Sequence, residues 1–148
     1  MMKMSFQDWL ENKWLIEHKS DKREISSLLR VIDRDMKDSG LFGLSADRKL
    51  CTAYNAVLQI AVAALAVSGY RLTHESHHYR AIQSLQFTMN LSPDLITRLD
   101  KFRKKRNICD YELAGSISEH EADEIFKTTT ELREQFLAWL TEEHPHMI

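Results

Sequence analysis

The sequence predicts an all-α fold, an antiparallel up-and-down bundle of five to six helices. Three observations carry this. Apolar residues recur at three- and four-residue spacing along nearly the whole chain, the period of one helix face. Glycine and proline number four and two in 148 residues, too few for the dense turns of a sandwich or barrel. Serine, glycine and proline also fall where helices need to start and stop.

Phe6, Leu10 and Trp14 step by four and predict a first short helix. Ser20 or Asp21 caps a second, with Ile25, Leu28, Leu29, Ile32 and Met36 on one apolar face. The run Ser39-Gly40-Leu41-Phe42-Gly43-Leu44 breaks it, and its Leu41, Phe42 and Leu44 are expected to tuck inward. Ser45 then caps a central helix, with Asp47 in the first turn where a carboxylate suits the positive dipole end. That helix runs to about Ser68 and stops at Gly69, the residue type suited to a left-handed cap. Ala53, Ala56, Ala61, Ala63, Ala64 and Ala66 make it small or apolar on nearly every side. A helix apolar all round is buried all round, so this one belongs in the middle of the bundle. Tyr70 to Ser76 reads as a linker, and His77 to Met89 as a fourth helix. Ser92-Pro93 opens a fifth that reaches about Leu113, and Gly115-Ser116-Ile117 breaks it. Ser118 with Glu121 forms a capping box for the last helix. That helix runs to about Glu143, with Ile125, Thr129, Leu132, Phe136 and Leu140 on one stripe. The chain reads as one domain, residues 1–44 supplying N-terminal helices and 45–143 the core.

Composition narrows the function classes. A net charge of −2 excludes a globally basic nucleic-acid coat. Cys51 and Cys109 are too few for a disulfide framework and suit a reducing cytosol; both fall on apolar stripes and are expected to be buried. The first eight residues hold no apolar signal core, and the longest apolar run, Ala56 to Val67, is shorter than the roughly 20 residues of a bilayer span. A soluble, cytoplasmic protein with no membrane contact is expected. The charge is nevertheless uneven. Arg98, Lys101, Arg103, Lys104, Lys105 and Arg106 stand against the single Asp100, while Asp110 to Ile148 carries ten acids and two bases. The two blocks either solvate neighbouring helices and neutralise each other, or the basic one forms a local phosphate patch.

On the fifth helix Leu95, Leu99, Phe102, Arg106, Cys109 and Leu113 form one stripe, so Arg106 stands where a leucine is expected. A guanidinium there must be paired, and Asp110, one turn on, can pair with it. The pair is either a salt bridge at the core edge or part of a phosphate clamp facing a groove or dimer seam. His74-Glu75-Ser76-His77-His78 matches H-E-x-x-H, the zinc-protease signature. It straddles the expected start of a helix, so His74 and His78 are not expected to share one helical face. No metal or cofactor is expected. Trp9, Trp14 and Trp139 are expected to anchor amphipathic helices in the core or at an interface.

The order of these features resembles the HEPN superfamily of prokaryotic helical-bundle proteins. An alanine-rich helix carries Ala53-Tyr54-Asn55-Ala56 and ends in Ser68-Gly69-Tyr70-Arg71, and a histidine-bearing link follows. Then come Arg103-Lys104-Lys105-Arg106-Asn107-Ile108-Cys109-Asp110-Tyr111 and a long last helix beginning Glu121-Ala122. The likeness spans about residues 45–140 and is best with the subset whose signature is R-x-x-x-D-Y, here Arg106, Asp110 and Tyr111. It implies a helical bundle, often a homodimer, encoded beside nucleotidyltransferases in toxin–antitoxin or defence loci. Active members resemble metal-independent endoribonucleases that pair R-x(4–6)-H motifs from two subunits in one cleft. Here Tyr111 stands where the shortest spacing would put histidine. Tyrosine, with a pKa of about 10, is a poor base near pH 7. The resemblance therefore implies a degenerate nuclease motif that binds a nucleotide or RNA phosphate, or docks a partner, through Arg103, Arg106, Asn107, Asp110 and Tyr111. Two alternatives stand beside it: an endoribonuclease using Arg106 with a divergent base, and a bundle in which the Arg106–Asp110 pair is purely structural.

Overall fold

The computed structural model describes residues 5–74, 77–111 and 115–148, with the backbone alone for 108–111. It is an all-α bundle: six α-helices among the described residues, joined by one small two-stranded sheet. Helix α1 covers Phe6–Glu11, strand β1 Leu15–Glu17, α2 Lys22–Ser39 and α3 Ala46–Ser68. Strand β2 covers Tyr70–Leu72, α4 His77–Thr88, α5 Pro93–Tyr111 and α6 Glu119–Glu143, with a 3-10 turn at Pro145–Met147.

The caps account for the boundaries. Ser45 Oγ accepts from Arg48 N–H at 3.2 Å, and Gly69 closes α3 at φ +97°, in the left-handed region. Ser92 Oγ accepts from Leu95 N–H at 3.2 Å. Ser118 and Glu121 satisfy each other's backbone N–H groups, the predicted capping box, at 3.0 and 3.1 Å. Of the two candidate caps for α2 it is Asp21 that serves, accepting from Glu24 N–H at 2.8 Å.

Helix α3 is the axis of the bundle. From Ile60 to Val67 every residue but Val62 is buried, and α2, α4, α5 and α6 all pack on it. By length and composition alone α3 is long and apolar enough to cross a membrane, with a mean hydropathy of 1.8 over an 18-residue window, but 72% of that window is buried within the bundle, as in a core helix. Helix α2 runs antiparallel to it. Ser20 Oγ donates to the Ala66 carbonyl at 2.8 Å near one end, and Asn55 Nδ2 donates to the buried Asp35 carboxylate further along. Asp35 also accepts from Arg34 Nε and Nη2 at 3.2 and 3.1 Å, which compensates for burying its charge. The starts of α3 and α6 lie together, held by Lys49 Nζ on Asp123 Oδ1 at 2.6 Å.

Three sequence expectations need correction. The first helix stops at Glu11, because Lys13 takes φ +61° and turns the chain, so Trp14 lies outside it. Trp14 instead packs edge-on against Trp9, at 5.9 Å between ring centroids. The Tyr70–Ser76 linker holds β2, which pairs antiparallel with β1 in the register Leu15↔Leu72, Ile16↔Arg71, Glu17↔Tyr70. Leu41 and Phe42 are exposed rather than tucked inward; Phe42 has no cover at all, since the loop closes as a turn with Leu44 N–H on the Leu41 carbonyl. Trp9, Trp14 and Trp139 all pack on the core.

Candidate functional site

Helix α5 carries the sequence candidates. Leu99 and Phe102 are buried and Leu95 packs against the core, so the predicted stripe is real up to Arg106. Arg106 is half-buried at that edge, and its Cζ lies 5.8 Å from the centroid of the Tyr54 ring on α3. Its expected partner Asp110, with Cys109 and Tyr111, has its side chain outside the described residues, and Leu113 lies outside them entirely. Asn107 is half-buried.

Arg103 is held differently. Its Nε donates to Asp100 Oδ1 at 2.7 Å, and its Cζ lies 5.3 Å from the centroid of the Tyr79 ring on α4. The hydrogen bond to Asp100 raises the Arg103 pKa above the ordinary arginine value and fixes the charge. Lys104 reaches the other oxygen of Asp100 at 3.6 Å, and Lys105 lies 2.8 Å from Glu121 on α6. The basic block is therefore partly answered from within the fold. Asp100 serves two of its cations and the acidic start of α6 a third, while Arg98 and Lys101 face solvent.

Tyr54 is the residue that sequence reasoning did not single out. It is fully buried, and its hydroxyl has no hydrogen-bond partner among the described residues. Buried polar groups are nearly always bonded, so an unbonded phenol oxygen calls for a reason. The surroundings are charged: Arg103 and Arg106 both act on the hydroxyl, with Asp100 a weaker opposing influence. Burial dominates and pushes the Tyr54 hydroxyl well above the ordinary phenol value, despite the pull of the two arginines. The group stays protonated at neutral pH and can only donate or accept as a neutral hydroxyl. His78 of α4 completes the junction, its ring centroid 6.1 Å from that of Tyr54 and its ring half-buried. One signal for Tyr54 was present in the sequence: it is the only phenol in α3, within the largely apolar stretch 50–67.

The H-E-x-x-H match dissolves on the fold. Helix α4 begins at His77, so His74 precedes it and His78 lies within it; Glu75 falls outside the described residues. Among the described residues no group of three His, Cys, Asp or Glu side chains is placed to hold a metal ion. Cys51 is only half-buried, against the expectation of a buried thiol. Asp47 does more than favour the helix dipole. Its Oδ2 accepts from Gly115 N–H at 2.6 Å and so ties the loop before α6 to the start of α3.

No protein-family model, curated protein or solved structure matches the chain. The chemistry therefore has to be read from the junction itself. Two guanidinium groups, a neutral buried hydroxyl and an imidazole converge where α3, α4 and α5 meet. Guanidinium groups and hydroxyl donors of this kind suit a phosphate or carboxylate oxygen.

Proposed function

We propose that this protein is a HEPN-like, phosphate-binding helical module that takes a nucleotide or an RNA phosphate at the α3–α4–α5 junction. The observation that carries the reading is the buried, unbonded Tyr54 hydroxyl between the charges of Arg103 and Arg106. Arg106 and the η nitrogens of Arg103 grip the phosphate oxygens, and Tyr54 donates to one of them. Asn107, Asp110 and Tyr111 complete the motif as the resemblance implies. Ligand entry requires the long, half-buried arginine side chains to swing, because the hydroxyl itself is shielded. By the same resemblance the module works in the cytoplasm as a homodimer, beside a nucleotidyltransferase or another defence-type partner.

Binding is favoured over cleavage. Cutting RNA through its own 2′-hydroxyl needs a group that exchanges protons near pH 7. The Tyr54 phenol, pushed upward by burial, is no such group. One observation favours a ribonuclease as the second reading: His78 supplies an imidazole against the Tyr54 ring, from α4 rather than from the motif.

The experiment is RNA binding and cleavage read in the same tubes, in EDTA, with Arg106→Ala alongside. Arg106-dependent binding without cleavage is the expected result. Cleavage lost in the variant makes the protein a metal-independent ribonuclease. Wild-type protein that neither binds nor cleaves refutes both.

A further inference from the structure

A cavity of about 230 Å³ opens between α2, α3 and β2, away from the residues of the phosphate site. Its walls are apolar: Leu28 from α2, Val62, Leu65 and Ala66 from α3, and Leu72 from β2. Val62 is the one position between Ile60 and Val67 that the bundle leaves partly uncovered, and it faces this cavity. The polar groups are His18, Glu24, Tyr70, Arg71 and His77. Glu24 is already engaged, with both carboxylate oxygens 2.9 Å from His18 Nε2. Arg71 is exposed and has no ion-pair partner among the described residues. Among the described residues the lining therefore holds one hydrogen-bonded carboxylate, a guanidinium with no ion-pair partner and a second imidazole.

We propose that this cavity binds a small monocarboxylic acid with an apolar body. The body lies among Leu28, Val62 and Leu65, and the carboxylate pairs with Arg71, with His77 as a second donor. The volume equals about eight waters at roughly 30 Å³ each, which suits an acid of about six carbons. Glu24, the one carboxylate among the described lining residues, is held by His18 Nε2, which leaves Arg71 open to the acid. An amine would meet Arg71 unfavourably, and a neutral alcohol would forgo the charge-assisted hydrogen bond. The site stands independently of the phosphate reading and shares no residue with it.

The test is a methyl-resonance NMR titration of the full chain with hexanoate, hexan-1-ol and hexylamine at pH 7. Hexanoate is expected to shift the Leu28, Val62 and Leu65 methyls saturably, and hexanol to bind about tenfold more weakly or worse. Arg71→Gln, a change at an exposed side chain, is expected to erase that preference without altering the fold. Val62→Phe, which fills the cavity, is expected to abolish binding of all three. The absence of saturable methyl shifts up to about 5 mM hexanoate, less than about 4 kcal/mol of binding free energy, overturns the proposal. So does equal binding of acid and alcohol, preference for the amine, or acid selectivity that survives in Arg71→Gln.

Discussion

Tyr54→Phe deletes one oxygen atom and keeps the ring beneath the Arg106 side chain. In the folded protein that oxygen is shielded from solvent and bonded to nothing among the described residues. Folding therefore strips its water without returning a hydrogen bond, a cost of about 1–3 kcal/mol for a buried hydroxyl. Removing the oxygen should stabilise the free protein by about 1–2 kcal/mol. At roughly 2–4 °C per kcal/mol for a chain of this size, the midpoint of thermal unfolding rises by about 2–8 °C. The same change should weaken phosphate binding. A hydrogen bond to a charged acceptor is worth about 1.5–3 kcal/mol, so RNA affinity falls by about tenfold to 150-fold. Urea unfolding followed by tryptophan fluorescence reads the first effect, and anisotropy of a labelled oligonucleotide reads the second. The opposite signs are what make the pair informative, since a residue kept for function at a cost in stability gives this pattern. A loss of more than about 1 kcal/mol in Tyr54→Phe would mean that the hydroxyl is bonded within the fold. Unchanged RNA affinity, beside a clear loss in Arg106→Ala, would remove Tyr54 from the site.

Three further outcomes follow from the geometry. Glu121 is held down to a pKa of about 2, first by the hydrogen bond from Lys105 and then by the Ser118 backbone. A depressed carboxylate contributes stability above its unfolded value and loses it as pH falls, here between about 4.5 and about 2. Glu121→Gln keeps an acceptor for Ser118 N–H but loses the charge, costs less than about 1 kcal/mol at neutral pH, and flattens the acid limb of a pH series of urea unfolding curves. Gly69→Ala should cost about 1–2 kcal/mol in the same assay, from φ +97° alone, because the added Cβ meets only the His18 carbonyl at an ordinary 3.9 Å. If RNA binds at this junction, the basic block offers it the exposed Arg98 and Lys101, Arg106, and the η nitrogens that Arg103 keeps beyond its Nε bond to Asp100, while Lys104 and Lys105 face carboxylates. The slope of log affinity against log salt is then no steeper than about −3 at roughly 0.7 per phosphate, and a slope of −4 or beyond would require those lysines to let go of Asp100 and Glu121.

The bundle was legible in the sequence because its boundaries are set by local chemistry. Ser45, Gly69, Ser92 and the Ser118–Glu121 box act within one turn of backbone, and spacing alone exposes them. The all-round burial of α3 was legible for the same reason, as composition repeated over many residues. What escaped depends on partners distant in the chain. Strands of three residues carry no usable alternation, and β1 finds β2 only because α2 and α3 fold back on each other. Leu41 and Phe42 were apolar in a gap between helices, and nothing local says whether such a turn closes onto the core or away from it.

The candidate site divides along the same line. Arg106 announced itself as a cation inside an apolar stripe, a conflict visible along one helix. Arg103 and Lys104 were visible as charges, but their pairing to Asp100 needs the rotamers of α5. Tyr54 was hidden because a lone phenol on a buried helix normally has its hydroxyl bonded somewhere. Only the packing of α5 against α3 shows that Tyr54 meets two guanidinium groups and, among the described residues, no hydrogen-bond partner. A cation within an apolar stripe and a buried hydroxyl in a core are each explained by structure. Their meeting at one junction is harder to explain that way, because a fold under selection for stability alone would keep the ring and discard the hydroxyl.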